Sequence, residues 1–360
     1  MEALSLRIQD LARSAWSSAQ APRSAATVAE MPGGASTRRF FRVQSGPHSA
    51  IAMFVPDATK PDEIAKTDES GRRWPFLEVR DLLAERGVRV PQLVAEACDA
   101  GLILVEDLGD ETLARFLERE PQAKEDIYRK AVLDLAKAQV ALDPARPCAE
   151  GGREALPRES IVRARAFDFD LLKWEVDHFL EWGLEARGIF LDPQDRLVFD
   201  RAATHLAKTI ASWPQSFVHR DYQSRNLMVR GPSGQEELVW IDFQDALLGP
   251  RVYDLVALLN DSYQTFTREF VEARLEEFGL ALGLGERERA QVVWEFDFVT
   301  VQRKLKDAGR FVFIDRVRGN PDYLGFVEPT IEKAFASMER CKGDPVVAEL
   351  QTMLGRILQA

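Results

Sequence analysis

Cysteine, histidine and asparagine are scarce in this chain, with three, four and three copies among 360 residues. Cys98, Cys148 and Cys341 are odd in number and far apart. That excludes a disulfide framework or a cysteine-based zinc site and fits a reducing cytoplasm. No apolar run approaches the roughly 18 residues needed to cross a bilayer, so no membrane span is expected. The opening MEALSLRIQDLARSAW has no signal-peptide core. Basic charge is in deficit, with 47 Lys and Arg against 58 Asp and Glu and a net charge of −11. Phosphate backbones attract basic surfaces, so no nucleic-acid partner is expected. Repeats and low-complexity tracts are missing too. No Gly-Lys-Ser/Thr follows a glycine-rich stretch, which excludes a Walker A loop. The 46% hydrophobic content is enough for a substantial core, and the length suits one two-lobed unit or two domains.

Two of the scarce residue types meet in the stretch from Phe217 to Asp245. His219-Arg220-Asp221 is followed by Asn226, and Asp242 ends the apolar run Leu238-Val239-Trp240-Ile241. Gly231-Pro232-Ser233-Gly234 predicts a turn between that run and Leu227-Met228-Val229, so Asn226 and Asp242 should flank a hairpin. A phosphoryl transition state spreads negative charge over several oxygens and needs Mg²⁺ to offset it. Mg²⁺ takes hard oxygen ligands, one or two of them from protein, which Asn226 and Asp242 can supply. Asp221 can then orient an acceptor hydroxyl and take its proton. The competing reading is an acidic turn beside an ordinary hairpin.

HRDYQSRN followed by WIDFQDALLGPRVYDLVALLND resembles the aminoglycoside phosphotransferase and choline kinase superfamily, the small-molecule relatives of protein kinases. With GGASTRRFFRV and LILVEDLG, it looks most like the bacterial anomeric kinases for N-acetylmuramate and N-acetylglucosamine used in cell-wall recycling. The resemblance runs from about Met31 to Arg318. It implies an α+β, bilobal protein-kinase-like fold. Residues 1–106 would form an N-lobe with a five-stranded antiparallel sheet covering ATP, and residues 107–360 a mostly helical C-lobe. It also implies Asp221 as catalytic base, Asn226 and Asp242 as metal ligands, and ATP and Mg²⁺ as cofactors. The acceptor would be a small molecule, an N-acetylated amino sugar. Asp254 would brace the catalytic loop, and His219 would be structural, holding the loop by hydrogen bonds.

Taken in order, residues 3–20 predict an amphipathic helix. Strands are expected at Thr27–Met31, Arg39–Val43 and Ser49–Val55. Between the first two lies a glycine hairpin in which Gly33, Gly34, Ala35, Ser36 and Thr37 can bring backbone N–H and hydroxyl donors to phosphate oxygens. The third strand lacks the phosphate-binding Lys that protein kinases and many of these relatives carry there. Arg38, Arg39, Arg42 or Lys60 is left to replace it. Residues 74–86 predict a helix ended by Gly87, carrying Glu78 where the superfamily has its helix-borne Glu. Two more strands lead to Glu106 and Leu108. By resemblance these are hinge positions whose backbone groups meet the adenine edge, ahead of a helix capped by Asp110.

Helices are expected at 113–117 and at 124–142, with Val140 toward the core. More follow at 167–184, where the dense aromatics read as core or, as the sharper alternative, as a substrate-stacking wall, and at 200–212. Gly249-Pro250-Arg251 reads as a loop into helix 252–259. Helices at 265–282, 286–308, 329–339 and 346–358 complete the lobe. Gln223, Arg225 and Asp245 are candidate substrate contacts. Arg303, Lys306 and Arg310 share one helix face and read as a solvated stripe or as a cationic rim for an anionic ligand. An aminoglycoside or choline kinase is the competing enzyme reading, and a non-catalytic nucleotide-binding regulator is the competing reading of another class. A protein kinase is disfavoured, because Gly249 follows Asp242 by only seven residues and leaves little room for an activation segment.

Overall fold

The structure is a computed structural model and describes residues 2–16, 26–32, 38–56, 74–146 and 155–358. Its first part is a five-stranded antiparallel sheet in the order β1-β2-β3-β5-β4. The strands are β1 (Thr27–Glu30), β2 (Arg39–Ser45), β3 (His48–Phe54), β4 (Leu93–Ala97) and β5 (Leu102–Glu106). Alternation along β5 assigns the two faces. Leu102 and Leu104 point with Val43, Ala50 and Ala52 toward Ile8 and Ala12 of helix α1 (Glu2–Ala15). Ile103 and Val105 point the other way, with Met53, toward Leu77 of α2 (Pro75–Glu85). Burial on both faces explains why LILV is a continuous apolar run. Gly87, at φ 77°, takes the left-handed conformation that ends α2.

The remainder is mostly helical. Helices α3 (Leu113–Arg119) and α4 (Lys124–Ala141) come first. Thr112, not Asp110, caps α3 by accepting the Arg115 N–H at 3.3 Å. Asp110 instead pairs with Arg42 at 2.8 Å. Val140 faces solvent rather than the core, at 43% exposure. Helix α5 (Phe169–His178) continues into one π-helical turn, Phe179–Leu184. Helix α6 (Pro193–Ala211) starts seven residues before the expected 200, because Asp192 accepts the Gln194 and Asp195 N–H groups and Pro193 suits a first turn.

Two small two-stranded sheets frame the central stretch. Strand β6 (Gln215–Val218) pairs with β9 (Leu247–Pro250), so the expected loop at Gly249-Pro250 is a strand. Its four residues are too few to show alternation. Strands β7 (Leu227–Arg230) and β8 (Glu237–Trp240) form the expected hairpin in register Leu227↔Trp240. Helices α7 (Tyr253–Leu259), α8 (Arg268–Ala281), α9 (Glu286–Arg318), α10 (Val327–Arg340) and α11 (Pro345–Leu358) follow. Helix α9, 33 residues long, runs through the middle of the helical lobe. Its buried charges are paired: Glu295 takes Arg251 at 2.8 and 3.0 Å, and Asp297 takes Arg268 and Arg340. Among the described residues no helix is long and apolar enough to cross a membrane.

Candidate active site

After β6 the chain turns sharply. Arg220 adopts φ 81°, a left-handed conformation costly for a non-glycine residue. Asp254, in the first turn of α7, holds it there. Its carboxylate accepts the His219 N–H at 2.6 Å and the Arg220 N–H at 2.9 Å. Burial pushes the Asp254 pKa up to about 7 against those two bonds. The Arg220 carbonyl accepts from Arg303 Nη1 of α9 at 2.8 Å. The resulting brace joins three separate parts of the chain.

His219 serves this turn through its backbone. The imidazole is fully buried, packed edge-on against Tyr222 and Trp240. Neither ring nitrogen meets strict hydrogen-bond geometry among the described residues, yet the Ile241 and His219 backbones lie close enough to favour the charged ring, so any anchoring through the imidazole is weak. Burial pulls the ring's pKa down to about 4 and leaves it neutral near pH 7.

Asp221 follows directly. Protein atoms crowd around its carboxylate, yet 42% of the side chain is open to the cleft. Burial alone would raise its pKa, but Arg303, Lys306 and Arg220 outweigh it and hold the group below the ordinary carboxylate range. Arg303 Nη2 lies 3.4 Å from Asp221 Oδ1, and Arg303 itself is 3% exposed. The stripe on α9 is therefore not a solvated face at this position. One sequence signal pointed there: Arg303 follows Phe296 and Val299 by seven and four residues, on the apolar side of the helix.

Hairpin β7–β8 brings the two candidate metal ligands to one end. Ile241 N–H donates to the Asn226 carbonyl at 3.0 Å, which sets Asp242 one residue beyond. Asn226 Nδ2 donates to the Asp221 carbonyl at 2.8 Å, which leaves Oδ1 as the acceptor end of the amide. Asp242 adopts φ 63° and keeps 47% of its side chain exposed. Burial, Asp221 and Asp245 push its pKa up against Arg38 and Gln244, so an added cation would be favourable there. One amide oxygen and one carboxylate are hard donors that fit Mg²⁺, with its remaining positions left to phosphate and water.

The phosphate-side residues Gly33, Gly34, Ala35, Ser36 and Thr37, and Lys60, lie outside the described residues. The strands carrying that loop pair as expected, Glu30 opposite Phe41. The candidate cations separate cleanly. Arg39 turns to Glu30 at 2.8 Å, and Arg42 to Asp107 at 2.9 Å and to Asp110. Arg38 reaches across the cleft to Asp242 Oδ1 at 3.8 Å. Glu78 accepts the Ile161 N–H at 2.5 Å, so it fastens α2 to the segment ahead of α5.

At the hinge positions, the Glu106 N–H donates to Gln92 O at 2.8 Å and its carboxylate takes Arg89. The Leu108 carbonyl accepts from Arg230 Nη1 at 3.2 Å. Leu108 also joins Met228, Val239 and Ile241 in a small apolar cluster on the cleft floor. Gln223 is half-buried, and its N–H donates to the Asp221 carbonyl at 2.9 Å. Arg225 is exposed and stacks on Tyr263 at 3.5 Å, while Asp245 takes the Gln244 amide at 3.4 Å. Arg165, buried beside them, donates to the Gln244 carbonyl at 3.0 Å and had no sequence signal.

The chain is 31% identical over 333 residues to the N-acetylmuramate/N-acetylglucosamine kinase of Pseudomonas aeruginosa, covering 90% of this chain and 87% of that one. It is 30% identical to the Pseudomonas putida kinase of the same name, over 98% and 93% of the two chains. In fold it is similar to choline kinase from Cryptosporidium parvum, at TM-score 0.59 and 12% identity over 95% and 97% of the chains. A microcompartment-associated aminopropanol kinase gives TM-score 0.56 and 16% identity, over 95% and 98%. The phosphotransferase enzyme family matches residues 27–292, so the chain belongs to that family.

Proposed function

We propose that this small-molecule kinase moves the terminal phosphate of ATP to the anomeric hydroxyl of an N-acetylated amino sugar, N-acetylmuramate or N-acetylglucosamine. The product is the sugar 1-phosphate. The support is the agreement of four relatives, all named N-acetylmuramate/N-acetylglucosamine kinase and 26% to 32% identical to this chain. The charge around Asp221 agrees, since Arg303, Lys306 and Arg220 all act on its carboxylate. Such a site repels a polycationic aminoglycoside or a quaternary ammonium, which need acidic or aromatic surroundings.

In this reading Asp221 accepts a hydrogen bond from the acceptor hydroxyl and then its proton. The acceptor oxygen forms a bond to the γ-phosphorus while the bond to the β–γ bridging oxygen breaks, and ADP leaves with that electron pair. A carboxylate held below its ordinary pKa is a weak base. It suits a loose transition state in which the proton moves late and positioning matters most. Asn226 Oδ1 and Asp242 would hold Mg²⁺, which offsets charge on the phosphates when bound. Two of the four backbone groups at the hinge already have partners, so the Glu106 carbonyl and Leu108 N–H read the adenine edge. The lobe boundary falls between Glu106 and Asp107.

The test is Mg²⁺-dependent ADP release with N-acetylglucosamine, N-acetylmuramate, kanamycin and choline, with the product examined by NMR. Phosphate on the anomeric carbon is expected. Transfer only to kanamycin or choline would overturn the acceptor assignment. Tight ATP binding without transfer to any of them would favour a regulator. In the same assay Asp221→Asn should lower kcat by about 100-fold or more while ATP still binds.

A further inference from the structure

Between Asp221 and Asn226 the chain closes on itself. The Gln223 N–H donates to the Asp221 carbonyl at 2.9 Å, and the Asn226 N–H to the Gln223 carbonyl at 2.8 Å. Those bonds are internal, so they set the shape of the turn but not where it sits. Ser224, fully buried in its middle, ties it to the rest of the protein. Its carbonyl accepts the Ala114 N–H of α3 at 3.1 Å. Its N–H, at 3.1 Å, and its hydroxyl both donate to Asp261 Oδ2.

Asp261 lies just past the end of α7 and is 1% exposed. Its other oxygen accepts the Tyr263 N–H at 2.9 Å. A buried carboxylate is costly unless it is hydrogen-bonded, and three donors meet this one. The segment that carries it is held in turn. Lys333 of α10 donates to the Asp261 and Gln264 carbonyls. Lys304 of α9 donates to Ser262 Oγ at 3.3 Å and to Asp307 at 3.0 Å. Asp254 and Asp261 therefore reach the turn from the two ends of one helix. The first holds His219 and Arg220 ahead of Asp221, and the second holds Ser224 between Asp221 and Asn226.

We propose that Asp261 is a positioning residue for phosphoryl transfer, holding Ser224 so that Asp221 and Asn226 keep their spacing. This rests on the roles given to Asp221 and Asn226 above. Asp261 is buried behind the turn and acts through Ser224, not on the reacting atoms. Transfer between oriented groups tolerates little displacement, and a shift of about 1 Å can cost about 100-fold in rate.

The test measures kcat, both KM values and hydrogen exchange from His219 to Val229 in Asp261→Ala, Asp261→Asn and Ser224→Ala. Asp261→Ala should lower kcat by about 10-fold to 100-fold, with both KM values within about threefold and faster exchange in that segment. Asp261→Asn can still offer one oxygen to Ser224 and should recover part of the rate. Ser224→Ala removes only the hydroxyl's bond and should cost less. Asp261→Asn should slow Ser224→Ala by less than it slows the wild type, because both changes act through one contact. If Asp261→Ala does not fold, the other two variants and their double carry the same comparison. A lowered Tm with kcat unchanged in the folded variants would overturn the proposal, and so would fully additive losses. Failure of the wild type to phosphorylate an amino sugar would overturn the acceptor reading alone. The variants are then compared by Mg²⁺-dependent ATP hydrolysis without acceptor, which uses the same turn, and the exchange measurement needs no acceptor at all.

Discussion

Arg38 is the candidate here for the phosphate contact that a strand lysine makes in protein kinases. Strand β3 ends at Phe54 without a lysine, and Arg39 sits opposite Phe54 in the register. Arg38 therefore stands across the hairpin from the place a lysine would occupy. Its guanidinium points at Asp242, and Glu78 has turned to a backbone N–H. A guanidinium can hold two phosphate oxygens at once. Arg38→Met should weaken ATP binding by about tenfold in calorimetry, with Arg38→Lys recovering part of it. Unchanged affinity would remove Arg38 from the phosphate site. His219 makes a different prediction, about stability. Its pKa falls from 6.5 to about 4 because the folded protein buries it neutral. The unfolded chain binds a proton below 6.5 while the native state resists until about 4. Stability from this group is complete above 6.5 and lost as the pH falls toward 4, by up to about 3 kcal/mol. Asp254, shifted the other way, opposes this slope in the wild type and in a variant alike. In urea unfolding, His219→Gln should gain less stability, or lose more, than wild type as the pH rises from about 4 to 6.5. Identical slopes would place the titration elsewhere.

At the level of elements, the placing of Arg303 against Asp221 depends on how closely α5 and α9 pack. Gly309 is the point of contact: a Cβ there would lie 2.7 Å from the His178 carbonyl oxygen and 3.0 Å from Phe179 Cα. Both are backbone atoms and cannot swing away. Gly309→Ala must part the helices, which should cost about 1–3 kcal/mol and raise the acceptor KM more than the ATP KM. A wild-type denaturation midpoint would show that the helices separate without cost. The same elements show what could be read from the sequence. The sheet and the β7–β8 hairpin were legible because strand alternation and turn residues act over a few neighbours. Asn226 and Asp242 were legible because that hairpin joins them. Arg303 reaches Asp221 from 82 residues away, and Asp254 reaches the His219 N–H from 35, distances no local pattern carries. Helical period put Arg303, Lys306 and Arg310 on one face but could not say what that face meets. Strand β9 was too short for a pattern, and the exposure of Trp174 depends on the partner helix.

Over the whole molecule, the charge of −11 and the cations around Asp221 would pull an anionic acceptor, such as the proposed N-acetylmuramate, in opposite directions. The distant field of an acidic protein repels anions, whereas the local field at α9 attracts them. Salt distinguishes the two by range and sign. At 0.1 M the screening length is about 10 Å, comparable with the run from Arg303 to Arg310. If the molecule's overall charge governs approach, added salt relieves repulsion and kcat/KM for N-acetylmuramate rises. If the cleft governs, added salt weakens attraction and kcat/KM falls. We expect it to fall between low salt and about 0.3 M, with ATP kept saturating so that nucleotide binding is not what changes. N-acetylglucosamine, uncharged, should show almost no dependence and serves as the internal reference. A rise for the charged sugar, or equal slopes for the two, would mean that the cations of α9 act only within the protein, on Asp221 and Asp307, and do not reach the acceptor.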